Sequence, residues 1–222
     1  MRQLNFQVTP QLKAQGEKLT TLRQQCKLFL TKHGVGFDKF TMVSHDTYIG
    51  FISEIAIKDY LAQNYSDCIA VVNTWEEAFD LIRIEKIVNA LACTQQDIDY
   101  VKAYFYDSWD LKIETKKGVI CADVKTAATQ KEPRPSWNFM YPLVQVNKTG
   151  KDLLILAYYV QSSKDYKDFA KMVLVGGTTP VQVRHCNLIK AGAKTRFGTI
   201  SQIDNYETEL SRDYKDLKAF LC

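Results

Sequence analysis

Two carboxylates and a lysine stand in a segment that reads as a β-hairpin. Residues 109–125 form two apolar-alternating runs around a turn at 115–118. This turn places Asp110 directly opposite Asp123, with Cβ atoms roughly 5 Å apart. Lys125 shares their face, because side chains alternate along a strand. Two facing carboxylates beside an ammonium group could hold a divalent cation, which is the chemistry of phosphodiester cleavage.

The opposite face of this hairpin is wholly apolar. It carries Trp109, Leu111, Ile113, Ile120, Ala122 and Val124. If the pairing of the two strands shifted by one residue, every carboxylate would face the apolar side. The pattern therefore predicts a single register.

Asp107 is the alternative to Asp110 as the first carboxylate. In a regular strand Asp107 would point to the apolar face, which favours Asp110. A bulge near Ser108 would reverse this choice. The charged face could also be the solvated outer side of an ordinary amphipathic hairpin, although aspartate is depleted in strands.

Composition bounds the class of protein. The chain has 222 residues, 46% of them hydrophobic, which suits one domain with a full core. No run approaches the ~18 apolar residues of a membrane span, and residues 1–5 lack an apolar signal region. We therefore expect an intracellular (cytoplasmic) protein without a membrane partner. The net charge of +4 suits a polyanion partner but does not require one.

Cysteine and histidine give no sign of a metal or disulfide framework. The six cysteines are scattered without CxxC spacing, mostly among apolar residues. We expect them to be reduced core residues. The three histidines have no metal-ligand spacing.

Periodicity predicts the surrounding elements. Helices are expected over 9–32, 46–64, 74–91 and 204–221, the third beginning with a capping box at Thr74. Residues 95–106 fit either a helix or a strand. Strands are expected at 153–160 and 171–175, and 126–142 is expected to be irregular. The predicted fold class is α/β (α+β), with a central mixed sheet that contains the antiparallel hairpin and is flanked by helices.

A third carboxylate extends the pattern. Glu54 lies at the edge of the apolar stripe of the second predicted helix. Glutamate on a helix, aspartate on a strand and Asp-x-Lys on its hairpin partner resemble the PD-(D/E)xK nuclease superfamily. The matching residues are Glu54, Asp110, Asp123 and Lys125, and the resemblance spans roughly residues 46–175. That superfamily includes many type II restriction endonucleases and several repair and phage nucleases.

Two features depart from the superfamily pattern. Trp109 stands where a proline often precedes the first aspartate, and an extra helical segment at 74–92 lengthens the helix-to-strand separation. The resemblance implies a restriction endonuclease-like fold over 1–222, with 1–45 as a helical N-terminal appendage. It also implies a bacterial or phage protein.

The resemblance implies metal-assisted hydrolysis. Asp110, Asp123 and the backbone carbonyl of Val124 would bind Mg²⁺, and Glu54 would complete the shell. Lys125 would orient or help to deprotonate the attacking water and offset charge on the phosphate. The substrate would be double-stranded DNA, cut by a homodimer whose active sites are related by a two-fold axis. The N-terminal helix, 12–30, is the predicted dimer surface.

DNA contacts are predicted in the loop that follows the hairpin. It carries Lys131, Arg134, Trp137 and Asn138, whose side chains could contact phosphate or bases. The alternative is a solvated loop with Trp137 in the core. A second basic patch comprises Lys190, Lys194 and Arg196. A repair or phage nuclease of the same superfamily and a non-cleaving nucleic-acid-binding protein are the alternative functions.

Overall fold

The chain is a mixed α/β structure, seen in a computed structural model that describes residues 1–4, 6–37, 44–167, 169–196 and 198–222. Its helices are α1 (Pro10–Lys32), α2 (Ser44–Asn64), α3 (Leu81–Val88), α4 (Gln95–Phe105), α5 (Leu143–Val146), α6 (Pro180–Arg184), α7 (Leu210–Asp213) and α8 (Lys218–Leu221). Its strands are β1 (Arg2–Leu4), β2 (Ile69–Thr74), β3 (Leu111–Thr115), β4 (Gly118–Thr129), β5 (Asn138–Pro142), β6 (Leu153–Gln161), β7 (Phe169–Thr178), β8 (Asn187–Ile189) and β9 (Asn205–Glu209).

The larger sheet positions the hairpin. In the described part of the chain it has six strands in the order β1-β7-β6-β4-β3-β2. Neighbouring strands are antiparallel except β4 and β6, which run parallel. Strands β5, β9 and β8 form a smaller antiparallel sheet. The predicted mixed sheet with an antiparallel hairpin and flanking helices is therefore confirmed at this level.

Strand β6 is buried on both faces. Ile155 packs in a cluster with Ile52 of α2, whereas Leu156 packs with Tyr141 of β5 and Tyr214 near the C-terminus. Burial on both sides explains why the sequence of β6 is a continuous apolar run and not an alternating one.

The long first helix is part of a helical layer. Leu22, Cys26 and Leu30 of α1 are buried against Ile84 of α3 and Tyr104 of α4. The apolar stripe of α1 is thus covered within the chain. If the helix forms the predicted dimer surface, it must use its exposed face, because other helices already cover the apolar stripe.

Several predicted elements need correction. The helix predicted over 74–91 is instead the end of β2, a 3-10 turn at Trp75–Ala78 and the short helix α3, with the predicted capping box at Thr74 present. The ambiguous segment 95–106 is helical, as α4. The predicted closing helix over 204–221 is wrong, because that segment pairs as β9 and then forms two short helices.

The expectation that all six cysteines are reduced is also wrong. Cys68 and Cys222 form a disulfide, with Cα atoms 5.2 Å apart. The fold brings the last residue beside the end of α2 across a sequence separation of 154 residues, which no local spacing could indicate. The free cysteines of the described residues are Cys26, Cys93, Cys121 and Cys186.

Within the described ranges, no helix combines the length and apolar character needed to cross a membrane.

Candidate active site

The hairpin of β3 and β4 has the predicted register. Leu111 pairs with Ala122 and Glu114 pairs with Val119. Leu111, Ala122 and Val124 are buried in the cluster that α2 covers, as the apolar face required. Regular pairing ends at Leu111, so the predicted direct pairing of Asp110 with Asp123 is not part of the ladder. The Asp110 N–H donates instead to the Ala122 carbonyl oxygen at 2.9 Å.

Asp110 closes the open end of this hairpin. Since β3 begins at Leu111, the N–H of Val124 has no partner on that strand and instead donates to Asp110 Oδ2 at 2.6 Å. Asp110 is only 8% exposed. Burial raises the pKa of Asp110, against the lowering effect of the nearby Lys125 ammonium group.

Asp123 is more deeply buried and holds two cations. It is 1% exposed, and its Oδ2 lies 2.7 Å from Lys125 Nζ. Its Oδ1 contacts Nζ of Lys151, a residue that the sequence did not single out. The Lys151 side chain is 6% exposed, and burial lowers the pKa of its ammonium group. Lys151 comes two residues before β6, and only the parallel pairing of β6 with β4 brings it to Asp123.

Asp107 belongs to a separate ion-pair cluster. Its Oδ2 accepts a hydrogen bond from Arg23 of α1 at 2.9 Å, and Arg23 also lies 3.7 Å from Glu76 Oε1. Burial acts to raise the pKa of Asp107, but the Arg23 guanidinium outweighs it and the pKa is lowered. Of the two candidate carboxylates, Asp110 is therefore the one that contacts β4.

Glu54 lies within electrostatic reach of Asp110. It lines a cavity of about 340 Å³, whose other lining residues include Lys58 of α2 and Glu76 of the 3-10 turn. Burial, and after it the carboxylates of Asp110 and Glu76, raise the pKa of Glu54 well above its ordinary range. Asp110 is thus close enough to act electrostatically both on Glu54 and on the Asp123 cluster.

The predicted DNA-contacting loop divides into exposed and buried residues. Lys131 and Arg134 are exposed beyond the end of β4. Trp137 packs against Tyr158, with ring centroids 5.8 Å apart, and so belongs to the core. Asn138 lies on β5 and donates to Glu207 at 2.9 Å. Trp137 therefore lies in the core, as in the alternative left open by the sequence, and Asn138 is bound within the chain.

These loop residues lie away from the charged cluster along the strand. Thr129, where β4 ends, is on the order of 13 Å from Lys125 at 3.3 Å per residue. In the second basic patch, Lys190 binds Asp204 at 2.8 Å and Arg196 lies 3.8 Å from Glu207. Part of the charge of that patch is therefore already neutralised.

Comparison with known proteins identifies no relative of this chain. No family model matches the sequence, and neither a curated protein nor a solved structure matches the chain. The chemistry of the site is therefore argued from its own residues.

Proposed function

We propose that the chain is a Mg²⁺-dependent endodeoxyribonuclease with a restriction endonuclease-like fold that hydrolyses phosphodiester bonds in double-stranded DNA. The main support is the burial of two carboxylates, Asp110 and Asp123, at the open end of the hairpin with Lys125 on Asp123. Burying charges is costly for stability, and clusters of this kind concentrate at functional sites.

The donor types at this site suit a hard cation. Asp110, Asp123 and the Val124 carbonyl offer oxygen only, as Mg²⁺ prefers, and Glu54 could complete the set. The Val124 N–H already points to Asp110, and the carbonyl of a strand residue points to the same edge as its N–H. The fit is one of donor type, because the described residues contain no group of three His, Cys, Asp or Glu already placed to hold a metal. When bound, Mg²⁺ would lower the pKa of a water ligand and screen the phosphate charge.

Lys125 is the more exposed of the two lysines that contact Asp123. Its side chain is 22% exposed, so its ammonium group can reach both Asp123 and a substrate that enters from solvent. It would orient the attacking water and offset negative charge on the phosphate. The attacking water gives up a proton to solvent as its oxygen forms a bond to phosphorus, while the bond to the leaving oxygen breaks and that oxygen takes up a proton from solvent.

The type of nuclease is part of this proposal. A type II restriction enzyme would act as a homodimer on a symmetric DNA site, and a repair or phage nuclease of the same superfamily would differ in its products. Because the apolar stripe of α1 is buried, a dimer would use another surface.

A non-cleaving nucleic-acid-binding protein is the second candidate. It is favoured by one observation, that protein groups already satisfy the buried carboxylates. Both oxygens of Asp123 contact a lysine, and Asp110 accepts the amide of Val124. A purely structural ion-pair cluster would have the same contacts.

Incubation of the purified protein with plasmid DNA, with Mg²⁺ or with EDTA, separates these candidates. We expect discrete fragments with Mg²⁺ and intact plasmid with EDTA. Nicking or smearing would indicate a repair or general nuclease. Shifted DNA bands without cleavage at any metal concentration would overturn the nuclease proposal in favour of the binding protein.

Variants connect the activity to the site. Asp123→Asn and Lys125→Ala should each lower cleavage at least about 10²-fold. Each removes a charged side chain from the place where negative charge develops on the phosphate in the transition state. Lys117→Ala, at the exposed turn of the same hairpin, is the matched control and should cleave like the wild type. Circular dichroism verifies that each variant is folded. If Asp123→Asn keeps near-full activity, the assignment of the site is wrong.

A further inference from the structure

Lys151 lies at the junction between an exposed loop and the buried end of the hairpin. Residues 147–150, which precede it, are exposed, whereas its own side chain is 6% exposed and contacts Asp123 Oδ1. The next residue, Asp152, is attached to β4 at two points. Its N–H donates to the Cys121 carbonyl oxygen at 2.8 Å, and its Oδ2 accepts from the Cys121 N–H at 2.9 Å. The backbone of Lys151 is therefore held beside β4 on one side and joined to an exposed loop on the other.

The carboxylates of the candidate site already accept from groups of the protein. Asp123 Oδ1 contacts Lys151, and Asp123 Oδ2 lies 2.7 Å from Lys125 Nζ. Asp110 Oδ2 accepts the Val124 N–H at 2.6 Å. Protein donors therefore engage both oxygens of Asp123 and one of Asp110. A cation that takes Asp123 Oδ1 as a ligand must first separate this oxygen from the ammonium group of Lys151.

The charges of this cluster are balanced before any cation binds. The two carboxylates, Asp110 and Asp123, lie beside the two ammonium groups of Lys125 and Lys151. A divalent cation added to this arrangement would leave two positive charges without a partner in a largely buried place, where an unpaired charge is costly. If one ammonium group moves away from the carboxylates, half of this excess is removed.

Lys151 should oppose a cation more strongly than Lys125 does. The Lys125 side chain is 22% exposed, so solvent screens part of its charge, and in the proposed function this lysine serves the phosphate. The Lys151 side chain is much less exposed. Because the effective dielectric constant falls with burial, the repulsion between a bound cation and Lys151 should exceed the repulsion between that cation and Lys125.

We propose that Lys151 competes with the divalent cation for Asp123 Oδ1 and so lowers the affinity of the site for the metal. The loop before Lys151 has room for the side chain to turn outward. Gly150 has φ +83°, and a Cβ built there would meet no atom within 4 Å. The inference rests on the proposed function, because it takes the Mg²⁺ of that function as the competing ion.

Metal binding without DNA tests the competition. Mn²⁺, which prefers the same oxygen ligands as Mg²⁺, is titrated into the full chain, and electron paramagnetic resonance of the free ion gives the Kd. Lys151→Met keeps the buried stem and removes the charge, so it should bind Mn²⁺ at least about tenfold more tightly than the wild type. Lys151→Arg keeps the charge and should bind like the wild type. Lys125→Met should gain less affinity than Lys151→Met.

Two controls assign the effect to this site. Lys117→Met removes an exposed lysine from the turn of the hairpin and should bind Mn²⁺ like the wild type. Asp123→Asn, combined with Lys151→Met, should lose the added affinity. A gain in affinity separates competition from a structural role, because loss of a merely structural lysine would leave metal binding unchanged or weaken it.

Urea unfolding verifies that Lys151→Met is folded, and Lys151→Gln is a second variant that should show the same gain. Unchanged or weaker Mn²⁺ binding by the folded variants would overturn the proposal. A wild-type protein that binds Mn²⁺ with a micromolar Kd would overturn it whatever the variants do, because that is the affinity of unobstructed sites with oxygen ligands.

Plasmid cleavage by the same proteins separates this inference from the proposed function. If Lys151→Met gains affinity for Mn²⁺ while no form of the protein cleaves DNA, the inference about Lys151 stands and the nuclease proposal fails. If Asp123→Asn abolishes cleavage while Lys151→Met binds Mn²⁺ like the wild type, the nuclease proposal stands and the inference about Lys151 fails.

Discussion

Two ion clusters lie close to Asp110, and the central residue is an anion in one and a cation in the other. In one, the single anion Asp123 is shared by Lys125 and Lys151. In the other, the single cation Arg23 is shared by Asp107 and Glu76. Asp110, which is close to both lysines, adds a second carboxylate to the first cluster. The second uses its one cation to neutralise carboxylates between α1, the 3-10 turn and the segment after α4.

Surroundings separate the two clusters further. The Arg23 guanidinium is enclosed by aromatic rings, with Phe51, Tyr104 and Phe105 centroids all within 6 Å, and it donates to the Phe105 carbonyl. This cluster is tied to the helical core. The Asp123 cluster instead stands at the end of a hairpin, beside an exposed loop. The comparison favours a structural role for the Arg23 cluster and leaves the Asp123 cluster as the site of the proposed chemistry.

Removal of the shared cation should have the largest effect. Arg23→Ala leaves the buried Glu76 and the half-buried Asp107 without their partner, and we expect a loss of about 3–5 kcal/mol in the free energy of unfolding. Urea unfolding followed by tryptophan fluorescence measures it. Arg83→Ala is the matched control, since Arg83 also lies over a ring, Tyr100, and near an aspartate but is half exposed. It should lose less than about 1 kcal/mol. Equal losses would show that Arg23 is not a structural centre.

Separate substitution of Asp110 and Asp107 tests which cluster is the site of cleavage. Asp110→Asn should lower Mg²⁺-dependent plasmid cleavage at least about 10²-fold, because it removes a charge beside Asp123. Asp107→Asn should stay within about tenfold of the wild type, because that carboxylate serves Arg23. Initial rates on the same plasmid give both values. The opposite ranking would move the site to Asp107 and remove the distinction between the clusters.

The sequence was informative where the pattern is local. The alternation of apolar residues in 109–125 predicts one register, and the structure confirms it. Helical spacing likewise predicts α1 and α2, whose bounds differ from the expected ones by one or two residues. In each case the residues of one segment show by their spacing which face is buried, so the element can be predicted without knowledge of its neighbours.

The rest depends on contacts between distant segments. Lys151 reaches Asp123 only because β6 pairs in parallel with β4, and Cys222 reaches Cys68 only because the chain end returns to α2. Leu210, Tyr214 and Leu217 have the spacing of a helix, but residues 205–209, which precede them, gain their hydrogen bonds as β9. The signal for Lys151 was its place just before an apolar strand, which becomes informative once that strand is paired with β4.

The sharing of Asp123 by two lysines predicts a non-additive pair. Lys125→Met and Lys151→Met should each reduce stability by about 1 kcal/mol, because the other lysine still neutralises the buried carboxylate. The double variant leaves Asp123 unpaired and should lose more than the sum, with a coupling of about 0.5–3 kcal/mol. Lys117→Met combined with Lys125→Met is the control pair and should be additive. Additive losses for the first pair would show that the two lysines act independently.

The smallest expected effect is the pH dependence of the Arg23 cluster. The folded pKa of Asp107 is lowered from its ordinary 3.8, so its ion pair stabilises the fold fully above that pH and is lost as pH falls through the folded pKa. Asp107→Asn should therefore be less stable than the wild type by about 1 kcal/mol near neutral pH, a value reduced by the partial exposure of this side chain. The two proteins should converge in acid, which urea unfolding at a series of pH values can measure. Asp67→Asn, an exposed carboxylate, should parallel the wild type throughout. A difference for Asp107→Asn that persists at the lowest pH would mean that the side chain stabilises the fold by packing and not by its charge.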